Sequence, residues 1–383
     1  FGVGGKIKVR ESIISNVKRL VVMIGTSTVI KPDGEINAPF ISQLAKTIVD
    51  LKKRNIETCI VCSGAVGAGK SQLKLARKPK RLPERQALAA VGQIYVMRAF
   101  AEIFKKQNLN VGQVLLTHEV LKDRVRYLNA RFTMNSLFDY GCIPVINEND
   151  TVATEELKVG DNDTLAAYVT NLIEADLLIL LSDIDGLMTG DPKKDRDAKL
   201  IAEVPEVTEE IFQLAGPTRS ETGTGGLITK LQAARIVNQC GEAMIIANSN
   251  VPSIIEKIMN GETVGTFFCP RSKNLQSRKR WLAFNQSNKG AIVIDDGAVT
   301  ALIKKNKSLL PSGIIKVEGV FADKDLVQIK SKNLVVIGRG ICNYSSEQVE
   351  KIKGLQTKEI EKILGACPYD SVVHRDNLVL VEG

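Results

Sequence analysis

The sequence has little of several residues that common catalytic and metal sites need. Its 383 residues include 2 histidines, His118 and His374, which lie far apart in the chain and therefore predict neither a histidine-based triad nor a histidine-rich metal site. The 7 cysteines are odd in number and scattered, so no disulfide framework is indicated and a reducing compartment is expected. With a single tryptophan and 5% aromatic residues, few platforms remain for stacking nucleic-acid bases.

Long hydrophobic runs are also missing from the sequence. No apolar stretch approaches the ~18 residues that are needed to span a bilayer. The first residues, Phe1–Lys6, hold no apolar core and no cleavage pattern for secretion, and a start at Phe1 rather than at methionine is expected of a truncated or processed chain. We therefore expect a cytoplasmic protein that does not span a membrane.

The chain is long and basic. A length of 383 residues exceeds the usual size of a single core and predicts two domains. The formal net charge of +9 favours acidic ligands or nucleic acid, although an enzyme that is simply rich in lysine would carry the same charge.

From Leu20 onward, short aliphatic runs alternate with longer amphipathic stretches. Most runs are continuously apolar, as expected of strands buried on both faces of a parallel sheet, and Glu84–Phe104 carries apolar residues at helical spacing. This alternation predicts a three-layer α/β/α domain with a mainly parallel sheet, whose ligands lie at the carboxyl ends of the strands. The runs are Leu20–Ile24, Thr58–Cys62, Val111–Leu116, Cys142–Ile146, Leu177–Leu181 and Ala243–Ala247.

The composition changes after Phe268 and predicts a domain boundary. We expect a polar N-terminal tail over residues 1–19, the α/β domain over 20–270, a basic linker over 271–288 and a small β-rich domain over 289–383. The last domain is predicted from four strand-like segments and two helices, which are Ala291–Asp295, Gly313–Val317, Leu326–Ile329, Leu334–Ile337, Gly297–Lys304 and Ser346–Ile352.

Three glycine-containing loops stand out in the α/β part: Ser63–Gly69, Gly160–Asp163, and Thr222–Gly226 followed by Lys230. Glycine lets backbone N–H groups surround an anion, and a following helix N-terminus adds favourable charge, so the loops predict a pocket for several phosphates. The alternative for the third loop is a glycine turn beside a surface lysine. Gly64–Ser71 matches the spacing of a P-loop literally.

Carboxylates and amides are concentrated in two loops, one of which is the second glycine-containing loop. Asn147–Asp150 closes one predicted strand, and Gly160–Asp163 follows ten residues later. Each alone is explained by ordinary Asx turns. Together they suit an amino-acid substrate, because acidic and amide groups bind an ammonium while main-chain donors bind a carboxylate. The segment Leu181–Leu187 ends another strand and could bound a nucleotide base and ribose.

These residues resemble one family closely, the glutamate 5-kinases of the amino acid kinase superfamily. The Asn-Glu-Asn-Asp and Gly-Asp-Asn-Asp loops together are specific for it, and the resemblance runs from about Leu20 to the C-terminus. The motifs that carry it are Ser63–Ala65, Asp123–Arg124, Tyr127–Arg131, Pro144–Asp150, Lys158–Asp163, Gly223–Gly226 and Thr229–Ala234.

The resemblance implies transfer of the γ-phosphoryl group of ATP to the side-chain carboxylate of L-glutamate, the first step towards proline. It implies that Lys230 stabilises the transferring phosphoryl group, that Asp163 organises the lysines around it, and that Mg²⁺ bridges phosphate oxygens. It assigns no residue of this chain as a ligand of Mg²⁺. It places glutamate at Ser63, Asn147, Asp150, Asp161 and Asn162. It places ATP at Gly25, Thr26, Ser27, Ser182, Asp183, Thr224, Gly225, Gly226, Leu227, Ile228, Thr229 and Lys230.

The same resemblance implies a PUA-like C-terminal domain, a homo-oligomer (dimer or tetramer) and feedback inhibition by proline. The sequence departs from the family at one position. The family has a phosphate-contacting lysine at the end of the first strand, where this chain has Met23 before Ile24–Ser27. A thioether carries no charge and donates no hydrogen bond, so activity is expected to be impaired there.

Two other functions are compatible with the residues. One is a catalytically weak kinase-like protein whose basic PUA-like domain binds RNA, on the evidence of Arg278–Lys279–Arg280 beside Trp281 and of Lys304–Lys307. The other is a related superfamily kinase that acts on another carboxylate or on a nucleotide. Salt-dependent RNA binding distinguishes the first, and a substrate panel distinguishes the second.

Overall fold

The computed structural model describes residues 3–77, 79, 81–117, 120, 124–153, 162–190, 195, 197–215, 226–270, 289–305, 307–356, 359–365 and 369–380. The chain forms two compact units, Phe1–Asn274 and Leu275–Gly383. Each unit has a hydrophobic core of its own. The predicted linker, 271–288, lies outside the described residues.

An eight-stranded sheet forms the centre of the first unit in the described part of the chain. Its strand order is β3-β4-β2-β1-β5-β7-β8-β6. The six strands from β3 to β7 in that order run parallel, while β8 is antiparallel to β7 and pairs in parallel with β6. The strands are β1 Arg19–Ile24, β2 Glu57–Cys62, β3 Val111–Leu116, β4 Ile143–Glu148, β5 Leu177–Ser182, β6 Glu203–Val204, β7 Ala243–Asn248 and β8 Thr266–Phe268.

Helices cover both faces of this sheet, which confirms the predicted α/β class with a mainly parallel sheet. The helices are α1 Val3–Ser15, α2 Thr26–Val29, α3 Ala38–Lys53, α4 Ala65–Gln72, α5 Leu82–Lys105, α6 Arg124–Asp139, α7 Asn162–Leu172, α8 Glu209–Leu214, α9 Leu227–Gln239 and α10 Ile254–Met259. A 3₁₀ turn, Asp150–Val152, follows β4.

The two sheet faces carry different helices. Leu20, Val22 and Ile24 of β1 join one core cluster with residues of α3, α5 and α10. Because side chains alternate along a strand, Val21 and Met23 point to the opposite face. Helix α7 packs against β1, β2, β4 and β5, and α9 packs against α7 and β7. The carboxyl ends of the parallel strands and the first turns of α7 and α9 therefore meet at one edge.

The N-terminal segment differs from the polar tail expected there. Val3–Ser15 is helical, and both Ile14 and Arg10 are buried. The Arg10 guanidinium donates to the carbonyl oxygens of Glu262 and Val264, at 3.0 and 2.7 Å. Sequence reasoning missed this helix because its apolar residues are few and lack a clear helical periodicity.

Helix α5 corrects the expectation of no membrane-length apolar stretch. With 24 residues, Leu82–Lys105 is long and apolar enough to cross a membrane by length and composition, and it is the one such helix among the described residues. Several of its apolar side chains are instead buried in the fold, namely Leu88, Ala89, Val96, Phe100 and Phe104. A single helix of this kind is weak evidence for a membrane segment, since core helices pass the same test.

The second unit contains a five-stranded mixed sheet of order β10-β9-β11-β12-β13. Its strands are β9 Gly290–Ile294, β10 Ile314–Gly319, β11 Leu326–Lys330, β12 Val336–Cys342 and β13 Val373–Leu380, and its helices are α11 Asp296–Lys305, α12 Ser346–Ile352 and α13 Ile360–Leu364. The predicted β-rich character is confirmed, while β13 and α13 were not predicted.

Candidate active site

The site begins where β2 leaves the sheet beside β1. The backbone N–H of Ser63 donates to the carbonyl oxygen of Ile24 at 3.0 Å, so these two strand ends are held together. Gly64 follows with φ +107°, a left-handed conformation that glycine adopts without strain. Helix α4 starts at the next residue, which leaves the Ser63 side chain at the edge of the sheet.

Amide side chains connect this edge to β4 and α7. The Asn162 Nδ2 donates to Ser63 Oγ at 2.8 Å, to Asn147 Oδ1 at 3.0 Å and to the Cys62 carbonyl at 3.2 Å. Asn147 and Asn162 are buried, with 2% and 9% of their surfaces exposed. The structure thus brings together three residues that the sequence places up to 99 positions apart.

Two polar atoms of this network are buried without a hydrogen-bond partner among the described residues. They are Oδ1 of Asn162, an acceptor, and Nε2 of Gln93, a donor. Gln93 lies on α5, and its Oε1 accepts a hydrogen bond of 2.7 Å from Asn147 Nδ2. A buried polar group is costly unless it is paired, so both atoms are suited to a polar ligand.

Asp150 lies in the 3₁₀ turn after β4, next to α5. Burial raises the pKa of the Asp150 carboxyl, and the nearby positive charge of Arg85 on α5 partly opposes that shift. The same helix secures the end of the turn, because Gln86 Nε2 donates to the Ala153 carbonyl at 3.0 Å. A partly buried carboxylate in this place is suited to binding an ammonium group.

A buried ion pair joins α7 and α9 at their first turns. Lys230 Nζ lies 3.0 Å from Asp163 Oδ2, and the side chains are 9% and 2% exposed. Thr229 Oγ1 donates to the same carboxylate oxygen at 2.8 Å. The pair holds an ammonium in place at the carboxyl edge of the sheet, where it can stabilise charge on a phosphoryl group.

A second polar cluster lies at the ends of β5 and β7. Ser182 Oγ donates to Asp183 Oδ1 at 3.1 Å, and the Ser249 N–H donates to the Ser182 carbonyl at 2.8 Å. Thr28 Oγ1 of α2 donates to Ser249 Oγ at 2.8 Å. The Gly25–Thr28 segment and the Ser182–Asp183 segment are therefore linked through Ser249.

The remaining candidate residues are placed as follows. Gly25 is the N-cap residue of α2, and its carbonyl accepts from the N–H groups of Thr28 and Val29. Gly226 is the N-cap residue of α9, whose first turn contains Leu227, Ile228 and Thr229. Asp161, Thr224 and Gly225 lie outside the described residues, as do most of the two loops that contain them.

Gly69 and Gly92 allow two helices to pack closely. A Cβ on Gly69 would lie 1.9 Å from the Leu88 carbonyl oxygen, and a Cβ on Gly92 would lie 1.8 Å from that of Ala65. Helices α4 and α5 thus cross with their backbones in contact, which only glycine permits. The P-loop spacing of Gly64–Ser71 is coincidental, since Ala65–Gln72 is helical.

The comparisons with known proteins agree with this geometry. A model described as the amino acid kinase family matches residues 18–248, and a PUA domain model matches residues 290–364. The chain belongs to the amino acid kinase family. Its three-layer domain and its C-terminal PUA domain are those expected from the sequence.

Curated relatives place it among the glutamate 5-kinases of that family. The glutamate 5-kinase of Thermoanaerobacter sp. (strain X514) is 48% identical over 364 residues, covering 95% of this chain and 98% of its own. The glutamate 5-kinase of Carboxydothermus hydrogenoformans is 48% identical over 373 residues, which cover 97% of this chain and 100% of its own. A solved structure of UMP kinase from Bacillus anthracis matches over 67% of this chain and 97% of its own, with 17% identity and a TM-score of 0.46. This likeness is too slight to add to the assignment.

This member of the amino acid kinase family has Met23 buried in β1, with 4% of its surface exposed. Met23 pairs with Val61 of β2 and Leu180 of β5, and it points to the sheet face that α7 covers. The first turn of α7 carries Asp163. Met23 thus lies on the same side of the sheet as the Lys230–Asp163 pair and contributes no charge there.

Sequence reasoning missed two site residues, Arg85 and Gln93. Both lie in a long apolar helix, where a polar residue is ordinarily explained as solvent-exposed. The sequence signal for Gln93 is its neighbour Gly92. A glycine inside a helix often marks a close approach of another backbone, so the residue beside it is held near that contact.

Mg²⁺ fits the site as an ion carried by nucleotide phosphates. No group of three or more His, Cys, Asp or Glu side chains that could hold a metal occurs within the described ranges. Mg²⁺ commonly keeps several waters and is bound through one or two carboxylates together with substrate phosphates. Two carboxylates follow strand ends of this sheet or lie beside them, Asp163 in the first turn of α7 and Asp183 directly after β5.

Proposed function

We propose that this chain catalyses phosphorylation of the side-chain carboxylate of L-glutamate by ATP. The observation that carries the proposal is one edge of the sheet with two sets of groups, the Ser63–Asn147–Asn162 amide network and the Lys230–Asp163 pair. The first set suits an amino acid and the second suits a phosphoryl group. Adjacent residues of α7, Asn162 and Asp163, belong to the two sets, so both substrates can meet there.

In the proposed reaction, an oxygen of the glutamate side-chain carboxylate attacks the γ-phosphorus, and the bond to the bridging oxygen breaks. The products are an acyl phosphate and ADP. The substrate supplies the nucleophile, so the protein's task is to align the reactants and to neutralise charge. Lys230 provides the ammonium, Asp163 fixes its position, and Mg²⁺ bound to the phosphates supplies further charge neutralisation.

The retained glutamate-site residues support this substrate. Asp150 would bind the α-ammonium group, and Ser63 and Asn162 would contact the substrate directly. Ser182–Asp183 and Gly25–Ser27, linked through Ser249, would flank the nucleotide. Feedback inhibition by proline, a homo-oligomeric state and a cytoplasmic location are further proposals that rest on the relatives.

The test is acyl phosphate formation from a panel of carboxylates with ATP and Mg²⁺. Hydroxylamine traps an acyl phosphate as a hydroxamate, which separates carboxylate phosphorylation from simple ATP hydrolysis. L-glutamate should give hydroxamate, whereas L-aspartate and UMP should give no product. Turnover with UMP alone would favour a nucleotide kinase, and tight salt-dependent RNA binding without any turnover would favour the RNA-binding alternative.

A further inference from the structure

We propose that Gln93 binds the α-carboxylate of the amino-acid substrate through its Nε2 group. This inference rests on the proposed function, since it assigns a further contact in the same site. No motif of the family resemblance includes Gln93, which lies in the middle of α5.

The first argument is the orientation of the Gln93 amide. Its Oε1 accepts from Asn147 Nδ2 at 2.7 Å, which fixes the amide plane and leaves Nε2 as the free donor. Nε2 is buried and has no hydrogen-bond partner among the described residues. A buried amide N–H without a partner costs free energy, and an anionic acceptor removes that cost.

The second argument is the position of Gln93 within the network. The contacts run from Gln93 to Asn147 and from Asn147 to Asn162, which precedes Asp163. The nucleophilic side-chain carboxylate must lie at the Lys230–Asp163 end, where the phosphoryl group is transferred. Gln93 is at the other end of this series, where the α-carboxylate and α-ammonium of the same substrate would lie.

The third argument is that other polar groups of the substrate site complement Gln93. The substrate end bears one anion and one cation. Asp150 supplies a carboxylate and Asn162 Oδ1 supplies an unpartnered acceptor, both suited to the ammonium. Among the side chains of the described network, Gln93 Nε2 is the buried donor without a partner and suits the α-carboxylate.

The backbone explains why Gln93 is held so firmly. Its neighbour Gly92 touches the Ala65 carbonyl, at the beginning of the helix that follows Ser63. The α4–α5 crossing therefore fixes Gln93 relative to Ser63, and the hydrogen bond from Asn147 fixes it relative to β4. A group held this rigidly loses little entropy when it binds a ligand.

Gln93 could act by binding the substrate or only by accepting a hydrogen bond from Asn147, and two substitutions distinguish these roles. Gln93→Met removes both polar atoms at nearly constant shape. Gln93→Glu keeps an oxygen that accepts from Asn147 but replaces the donor by a second oxygen, which repels a carboxylate. The matched control is Arg98→Met, which removes an exposed polar group from the same helix.

Binding of L-glutamate and of ATP is measured separately by titration calorimetry. The result therefore does not depend on the catalytic rate, which Met23 is expected to lower. We expect both Gln93 variants to bind L-glutamate about tenfold or more weakly, with ATP affinity close to that of the unsubstituted chain. Arg98→Met should bind both as the unsubstituted chain does.

The inference is overturned if Gln93→Glu binds L-glutamate within about twofold of the unsubstituted chain, because Gln93 would then act only through Asn147. It is also overturned if ATP binding weakens as much as glutamate binding. An unsubstituted chain that binds ATP but no L-glutamate would instead refute the proposed function, and the inference with it.

Discussion

At the scale of single residues, the Lys230–Asp163 pair combines two roles. It positions a charge for phosphoryl transfer, and it compensates two charges that are buried in the fold. Removing one member of a buried pair leaves the other charge unpaired, which is costly, whereas removing both is much less so.

We therefore predict that Asp163→Asn lowers the free energy of unfolding by about 3 kcal/mol. The double substitution Asp163→Asn with Lys230→Met should recover most of that loss, because no ammonium is then left unpaired. Urea unfolding of the two variants measures the difference. Equal destabilisation of both would show that the pair does not explain the stability of this edge.

Asp150 gives a prediction about pH. Its pKa is raised by burial, so on acidification it is protonated at a higher pH than an ordinary aspartate. Because only the carboxylate binds an ammonium, the KM for L-glutamate should rise as the pH falls through that raised pKa. Arg85→Gln removes the opposing charge and should move the rise to still higher pH.

The control for this pH dependence is Asp150→Asn, which should abolish the rise and weaken glutamate binding at pH values above the raised pKa, where the unsubstituted chain carries the carboxylate. An Arg85→Gln variant whose profile moves to lower pH would contradict the assignment.

At the scale of elements, the crossing of α4 and α5 determines the geometry of the site. Gly69 and Gly92 have no room for a Cβ, whereas a Cβ on Gly67 would meet Ile30 at an ordinary 3.6 Å. The three glycines thus provide a matched set within one helix pair.

We predict that Gly92→Ala destabilises the protein by about 1–3 kcal/mol or more through overpacking, and that it weakens glutamate binding by displacing Gln93. Gly67→Ala should be neutral or stabilising by up to about 1 kcal/mol, because alanine favours the helix. Thermal unfolding and glutamate titration measure both effects. A Gly92→Ala chain as stable as Gly67→Ala would mean that the helices are not in contact.

Much of the fold could be predicted because short, continuously apolar runs are typical of strands buried on both faces of a parallel sheet. Val111–Leu116 is a strand over the predicted range, and the runs around Ile24, Ile60 and Leu180 differ from the observed strands by a residue or so at an end. Helix α1 could not be predicted, since its helical state depends on burial of Arg10 and Ile14 against distant residues.

The site was only partly predictable for a related reason. Ser63, Asn147, Asn162, Asp163 and Lys230 belong to recognisable loops, and the structure places them together. Gln93 and Arg85 depend on where a long helix lies relative to β4, which is tertiary information. The glycine-rich segment after Ser63 predicts a phosphate-binding loop. Close helix packing also requires glycine, so the sequence alone could not distinguish the two.

At the scale of the whole molecule, the two units have separate cores, and all described candidate site residues lie in the first. We predict that a chain ending at Asn274 folds and retains glutamate-dependent turnover within about tenfold of the full chain. Circular dichroism and hydroxamate trapping measure folding and turnover. A fragment that folds but is inactive would show that the second unit contributes to the reaction.

The central proposal is that this chain phosphorylates L-glutamate and that Met23, in the place of the family lysine, lowers its rate. The measurement that tests it most directly is glutamate-dependent hydroxamate formation by the unsubstituted chain and by Met23→Lys. Adding an ammonium on the sheet face that carries the Lys230–Asp163 pair should raise kcat at least about tenfold, a barrier difference of roughly 1.4 kcal/mol, and up to about 10³-fold. The KM for L-glutamate should stay nearly constant. Equal rates would contradict the role proposed for Met23, and absence of hydroxamate from both chains would contradict glutamate phosphorylation itself.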